Sequence, residues 1–397
     1  MPLLVDLLAV NVRHRFPGLA DGWVRLDGPA GTLPVDSSIG AMVAYLRSPA
    51  PANQGGRFDA SVETTALVEA TRVACARLLG STPEEVVFGA NATTLMFAYT
   101  RALAQAWGPG DVVVVTRLDH DANVRPWVLA ARDTGAEVAF LPVDPADGTL
   151  DLDPLDGLCA GGRVRWVAVS GASNLHGVVP DLARVVTTAH AAGARVHLDA
   201  VARVPHLPTS LTDLGVDSLV TSPYKWYGPH AGVLVARREI LQGVEPYRVR
   251  PADYPGPERW ETGTKAFEVL AGVRAAAEFL AEQPWPEVVA TEGALLARME
   301  HGLRAMDHVT VHGPVSGQGR APTSIFTVAG WRPDAVAAAL AERRVAVWSG
   351  DNYACELVDA LGLRAGGGVV RAGVVRYTDE ADVDALLEAV ADLRRPG

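Results

Sequence analysis

The feature that most limits the fold is an alternation running through the middle of the chain. Short apolar, β-branched runs read as strands at Glu85–Phe88, Val112–Thr116, Glu137–Leu141, Val164–Ser170, Arg195–Asp199, Ser218–Thr221 and Gly232–Ala236. Helix-like stretches separate several of them, at Thr93–Trp107, Val124–Thr134 and Leu182–Ala192. Strands that are largely apolar and spaced by helices call for a mostly parallel sheet covered on both faces. The expected class is therefore α/β. Ligands of such sheets sit at the carboxyl ends of the strands, so the loops after each run are where chemistry is sought.

Beyond the alternation, Gly243–Glu261 is rich in Pro, Tyr, Arg and acidic residues and reads as a closing loop. Helical stretches at Lys265–Glu282 and Glu287–Met306 follow. Strand signals come next at Val309–Val311, Thr323–Val328, Arg344–Trp348 and Val369–Tyr377, then an amphipathic helix at Glu380–Leu393. This order predicts an N-terminal segment over 1–20 that could pack on either domain. A large domain over 21–262 follows, then a linking helix with a smaller C-terminal α/β domain over 263–397. A chain of 397 residues is too long for one small core and suits that division.

The net charge of −11 argues against nucleic acid or an anionic membrane as the main partner. No apolar run is long enough to span a bilayer, and the start, MPLLVDLLAVNVRHRF, lacks the pattern of a signal peptide. Cys75, Cys159 and Cys355 form neither a metal spacing nor a disulfide framework, which fits a reducing cytoplasm.

Four strand ends carry residues with chemistry. In Ser222-Pro223-Tyr224-Lys225-Trp226-Tyr227-Gly228-Pro229 a lone lysine sits among aromatics. Burial lowers a lysine pKa, and a neutral amine can form an imine with an aldehyde; a surface lysine on a loop is the plain alternative. Asp199 ends the apolar strand Val196-His197-Leu198. A carboxylate there could keep a pyridine nitrogen protonated, or simply cap the next turn. His120, in Arg117-Leu118-Asp119-His120-Asp121-Ala122-Asn123, could lie flat on a cofactor ring or be an ordinary loop histidine. Gly89-Ala90-Asn91-Ala92-Thr93-Thr94 opens a helix with small residues and a hydroxyl, which suits a phosphate or a merely capped helix. Each alone is weak. A cradle, a histidine, Ser173-Asn174, an aspartate and a lysine in that order at strand ends point together to pyridoxal 5'-phosphate (PLP).

The ordered set resembles the class V aminotransferases, a family of fold-type I PLP enzymes, and within it the cysteine-desulfurase-like branch. The likeness runs from Leu26-Asp27-Gly28-Pro29-Ala30-Gly31 to Tyr377. It implies that Lys225 is the Schiff-base lysine, that Asp199 pairs with the pyridine nitrogen and that His120 stacks on the ring. Ala92, Thr93, Ser222 and Tyr224 are implied to face the phosphate. Asn174 is implied near the ring hydroxyl and the substrate carboxylate, and Arg371, in Gly-Val-Val-Arg-Ala-Gly, as the carboxylate arginine. Thr264, in Trp-Glu-Thr-Gly-Thr, is implied to reach the phosphate of a partner subunit, hence a homodimer with shared active sites. No metal is expected.

Two departures from the family pattern matter. Desulfurases carry a cysteine on a mobile loop of the small domain. The matching stretch here is Val347-Trp348-Ser349-Gly350-Asp351-Asn352-Tyr353-Ala354-Cys355, with Tyr353 at the nucleophile position, where it is a candidate substrate contact. Cys355 lies two places on. Three residues after Asp199 the family places Gln or His; here it is Ala202, with Arg203 beside it as a possible replacement donor. The expected reaction is thus β-elimination by a C–S lyase on cysteine or an S-substituted cysteine, an amino-acid substrate, with lincosamide-like natural-product tailoring as the analogy. Decarboxylation-coupled oxidative deamination of a cysteine S-conjugate, a desulfurase using Cys355, and a non-catalytic sulfur-transfer scaffold are the alternatives.

Overall fold

The computed structural model describes residues 12–252, 254–315 and 320–393. Residues 1–11 of the expected N-terminal segment lie outside the described residues. After a 3-10 turn at Arg13–Arg15, the buried ring of Phe16 packs against Tyr227, Phe279 and Tyr377 with centroids 5.4, 6.1 and 4.9 Å away. This segment therefore touches both halves of the chain at once. Strand β1 (Val24–Arg25) and helices α1 (Asp36–Arg47) and α2 (Asp59–Leu79) follow.

The alternating region runs β2 (Val86–Gly89), α3 (Ala92–Leu103), β3 (Val112–Thr116), α4 (Arg125–Thr134), β4 (Glu137–Leu141), α5 (Asp153–Ala160), β5 (Val164–Ser170), α6 (Leu182–Ala191), β6 (Arg195–Asp199), α7 (Leu211–Leu214), β7 (Ser218–Thr221), β8 (Gly232–Ala236) and α8 (Arg238–Gly243). Its seven strands form one sheet in the order β2-β8-β7-β6-β5-β3-β4. Neighbours from β7 to β4 pair in parallel, and β8 runs antiparallel to both β7 and β2. The mostly parallel sheet read from the sequence is therefore present, with each strand within a residue of its expected place. The reason is visible in the burial. Val112 and Val114 enter one core beneath α2, α6 and α9, whereas Val113 and Val115 enter the opposite core beneath α3 and α4. A strand buried on both faces has no polar alternation to show.

Helix α9 (Phe267–Ala281) lies across α1 and α2, and α10 (Trp285–Arg304) leads into the rest of the chain. There β9 (Val309–His312), β10 (Thr323–Val328), α11 (Pro333–Glu342), β11 (Val345–Ala346), β12 (Trp348–Gly350), α12 (Cys355–Ala360), β13 (Val369–Gly373) and α13 (Glu380–Ala391) complete the fold. An antiparallel sheet is ordered β12-β13-β10-β9. The run read as one strand at Arg344–Trp348 is two: β11 pairs in parallel with β1, and β12 pairs with β13. A shared apolar cluster of Leu118, Leu175, Ile325, Ala354, Leu357 and Val369 joins the loops after β3 and β5 to this sheet. That seam lies beside the carboxyl ends of the parallel strands.

Candidate active site

A cleft opens at those strand ends. Its lining includes Ala92, Thr93, His120, Asn174, Asp199, Ala202, Ser222, Tyr224 and Lys225. Eight residues expected at one site, from the ends of five different strands, thus meet there, and Ala202 lies with them. Arg371, Tyr353 and Thr264 do not line it.

Lys225 lies in a 3-10 turn, Pro223–Lys225, directly after β7. The turn is stitched to the stretch between β1 and α1: Thr32 N–H and its hydroxyl both donate to Tyr224 O, at 2.9 and 3.0 Å, and Tyr227 N–H donates to Thr32 Oγ1 at 2.8 Å. Tyr227 is held at φ +70°, a left-handed conformation that costs a bulky residue roughly 1–2 kcal/mol. Lys225 Nζ donates to the carbonyls of Ala30, at 3.0 Å, and Pro29. Burial and the charge of Arg371 lower its pKa to about 7, against an opposing pull from Asp199. The low-dielectric turn inferred from the flanking aromatics is the cause.

Asp199 is buried at the end of β6, and its only hydrogen bond among the described residues is from Val201 N–H to Oδ1, at 2.9 Å. Burial raises its pKa to about 6, and the Val201 N–H and Lys225 oppose the rise. A buried carboxylate with one donor and a free oxygen is short of a partner, preferably a cationic N–H. A pyridinium nitrogen meets that need.

At the start of α3, Asn91 Oδ1 caps Thr94 N–H at 2.8 Å, and Ser222 Oγ accepts from Ala92 N–H at 3.1 Å. The Ser222 hydroxyl proton, the Thr93 hydroxyl and the Thr93 N–H are left without protein acceptors among the described residues. A Cβ on Gly232 would stand 2.5 Å from the Asn91 carbonyl carbon, so only glycine lets β8 pass this close. Unspent donors at the N-terminus of a three-turn helix suit a phosphate. The residues present thus fit PLP at both ends.

His120 follows β3. Its Nδ1 accepts from Ala122 N–H at 3.0 Å, which leaves the proton of the neutral ring on Nε2. Burial, then Lys225 and Arg371, lower its pKa to about 4, with Asp351 pulling the other way. The next residue back, Asp119, is a buried carboxyl that accepts from Thr116 Oγ1 and from Asn123 Nδ2, the latter at 2.8 Å. Burial drives its pKa well up. This network fixes the His120 turn and was not singled out from the sequence. Nor were the carbonyls of Pro29 and Ala30; the small-residue run Gly28-Pro29-Ala30-Gly31 was the available signal.

Arg371 lies in β13, opposite Ile325 and Trp348. It is 5% exposed, donates from Nη1 to Asn174 O at 2.7 Å and leaves Nε without a partner. Burial lowers its pKa to about 10. Asn174 Nδ2 donates to Asn352 O at 2.8 Å, while its Oδ1 is buried and unpaired. Arg203 does not fill the gap at Ala202: its guanidinium donates to Gly171 O and Pro208 O, each at 3.3 Å. Thr264 is exposed on the loop between Trp260 and α9, outside the cleft of its own chain.

Asn352 and Tyr353 have φ of +51° and +60°. Tyr353 N–H donates to Asp351 Oδ1 at 2.9 Å, and Asp121 N–H donates to Tyr353 O at 2.8 Å. Cys355 Sγ points at Asp351 Oδ2, 3.6 Å away, and partial burial and that carboxylate push its pKa up. Cys75 and Cys159 are buried elsewhere.

The Aminotransferase class-V family model matches residues 24–386. The chain belongs to the class V aminotransferase family. As for that family, the cofactor is PLP and the protein is an enzyme of the fold-type I class. Probable cysteine desulfurase 2 of Mycobacterium leprae is 34% identical over 84% of this chain and 83% of its own. Cysteine desulfurase CsdA of Escherichia coli is 31% identical over 95% of this chain and 96% of its own. Its crystal structure aligns with a TM-score of 0.86 and 29% identity, over 95% of this chain and 96% of that one. A cysteine desulfurase from Thermococcus onnurineus aligns at a TM-score of 0.90 with 27% identity, over 96% and 97%.

Proposed function

We propose that this class V aminotransferase-family protein is a C–S lyase that acts on cysteine or an S-substituted cysteine. The observation that carries the choice is the state of the thiols. No cysteine lines the cleft among the described residues, and the nearest in sequence to the family's nucleophile position, Cys355, is turned to Asp351. A persulfide needs a thiolate that reaches the substrate sulfur. Cleavage that releases the sulfur with its substituent needs none. The balance is a cysteine S-conjugate and water giving a thiol, pyruvate and ammonia. Cysteine desulfurases among the relatives support C–S bond cleavage as the common chemistry.

Bound PLP supplies a ring that stabilises negative charge at the substrate Cα. In this reading Asp199 holds the proton on the ring nitrogen. Thr93 and Ser222 donate to the phosphate, beside Ala92 and Tyr224. Lys225 would hold the cofactor and, as a free amine, would accept the substrate α-proton; its pKa of about 7 suits that task at neutral pH. Arg371 and Asn174 take the substrate carboxylate, and His120 covers the ring face. Thr264, exposed and away from its own cleft, is left for the phosphate of a second copy in a homodimer. S-conjugates of the kind trimmed in sulfur-containing natural products are the substrates we place here.

Mass-spectrometric product analysis with cysteine and several S-conjugates tests the reading. Pyruvate plus thiol is expected. Alanine plus persulfide would make the protein a desulfurase, carbon dioxide plus aldehyde would indicate oxidative decarboxylation, and no turnover on any of them would favour a scaffold.

A further inference from the structure

Tyr353 is 68% exposed yet tightly placed. Its ring stacks on His120 with centroids 5.2 Å apart and planes 29° from parallel. Its carbonyl holds Asp121, the residue next to His120. His120 lines the cleft and Tyr353 does not, so the phenol ring's packing reaches the site through the imidazole. The turn that carries it is anchored to the other side of the cleft as well, through Asn174 Nδ2 to Asn352 O. An ion pair of Arg117 and Glu356, 2.8 Å long, closes the same seam.

We infer that Tyr353 is a positioning residue that backs His120 and sets the plane of the imidazole over the cofactor ring. This rests on the PLP site proposed above and adds a role that the position does not have when it holds a nucleophile. A left-handed tyrosine is an unusual choice for an exposed turn. With φ at +60°, the side chain lies with one face on His120 and the other open to water. An imidazole held by one hydrogen bond, from Ala122 N–H, can still rotate about that contact. A second ring packed on it removes that freedom. Offset stacking of two rings is favourable beyond the area it buries. The groups acting electrostatically on His120 are Lys225, Arg371 and Asp351. None of them is supplied by Tyr353, so its ring can be removed without changing the local charge.

The test uses the PLP-loaded protein with Tyr353→Ala and Tyr353→Phe, each alone and with His120→Ala. Alanine keeps the backbone bond to Asp121 and the same left-handed strain, so only the ring is lost. The readouts are the visible circular dichroism of bound PLP and its rate of release. Tyr353→Ala should weaken the dichroism and speed release by about threefold to tenfold, the worth of one aromatic pair. Tyr353→Phe should restore both. With His120→Ala present, Tyr353→Ala should add nothing, because a residue acting through another is silent once that other is gone. Equal losses in both backgrounds would overturn the inference, as would a phenylalanine variant as poor as the alanine one. A cofactor-free arm separates this from the PLP reading: NMR of the His120 ring should shift on Tyr353→Ala. If wild-type protein binds no PLP, that reading fails while the ring contact is still tested. An unmoved His120 resonance would overturn the contact even if PLP binds normally.

Discussion

Asp199 and Lys225 stand at the ends of adjacent parallel strands, β6 and β7, and each shifts the other's proton equilibrium inside one cleft. Lys225 pulls the Asp199 pKa down and Asp199 pulls the Lys225 pKa up, yet burial wins at both sites. The carboxyl reaches about 6 and the amine falls to about 7. The pair is thus poised near neutrality, where each group can change charge within the working range.

A pH dependence follows with a definite sign. Below about pH 7 Lys225 is protonated in both folded and unfolded chains, so its burial costs stability in the cofactor-free protein. As pH rises from about 7 towards 10.5, the folded amine sheds its proton while the unfolded one keeps it, and that cost is relieved. Asp199 acts in the opposite sense between pH 3.8 and about 6, where the folded state retains a proton the unfolded chain has lost, so stability falls as pH rises. Attachment of PLP to the cofactor-free protein should therefore accelerate with a midpoint near 7, followed by visible absorbance. Borohydride followed by peptide mapping should find the pyridoxyl group on Lys225. A midpoint near that of free lysine, or label on another residue, would remove Lys225 from its role.

Asp199→Ala should leave PLP bound but slow the chemical step. One charge-assisted bond is worth ~1.5–3 kcal/mol, and its loss falls mainly on charge stabilisation during reaction. Cofactor affinity by titration and single-turnover rates measure the two effects separately. Unchanged turnover would show that this carboxyl does not face the ring nitrogen.

The sheet was legible because β3 opens with an unbroken run of valines, and in β5 and β6 apolar residues outnumber Arg165 and His197, as two-sided burial requires. The loops after them carried legible chemistry for the same reason, since polar residues stand out against apolar strands. Helices α1 and α2 did not stand out. Their sequences mix Ser, Gly, Val and Thr, residues that blur a helical period. The split at 344–350 was hidden because an apolar run does not say which sheet takes it. The carbonyls that hold Lys225 were hidden for a different reason: main-chain acceptors belong to every residue type. Arg203 shows the limit of adjacency, since a neighbour in sequence turned its guanidinium to Gly171 and Pro208.

Cys355→Ala should retain most C–S lyase activity, because the thiol is bonded to Asp351 and does not line the cleft. Thiol and pyruvate release from an S-conjugate measures it. Abolished activity, with a persulfide trapped on Cys355 in the wild type, would move the protein to the desulfurases.

A structural prediction concerns Glu261. Its carboxylate meets Arg72 Nη2 and Lys265 Nζ, each at 2.8 Å, and accepts from Phe88 N–H at 2.8 Å. It ties the loop bearing Thr264 to β2, the strand that leads into the phosphate cradle. Glu261→Gln keeps an acceptor for Phe88 but leaves the buried Arg72 short of charge. The expected loss is about 3 kcal/mol, read from urea unfolding. A loss below about 1 kcal/mol, the range of an exposed pair, would mean that Glu258, 3.3 Å from Arg72, already suffices.

Arg371→Lys should be far from conservative. The guanidinium spends Nη1 on Asn174 O and keeps Nε unpaired in a buried site, so it has donors to spare for a carboxylate. An ammonium offers no planar fork and cannot hold Asn174 O and a carboxylate plane together. Two effects should appear jointly: a higher KM, and a mixture of products as the substrate's orientation loosens. PLP affinity should change little, because β13 is not part of the phosphate cradle. The lysine variant also changes the field on Lys225, whose pKa Arg371 helps to lower. The pH profile of PLP attachment should therefore move only slightly, since a positive charge remains. Steady-state kinetics with full product accounting decides the matter. Normal KM, normal products and weakened PLP binding would show that Arg371 serves the cofactor and not the substrate carboxylate.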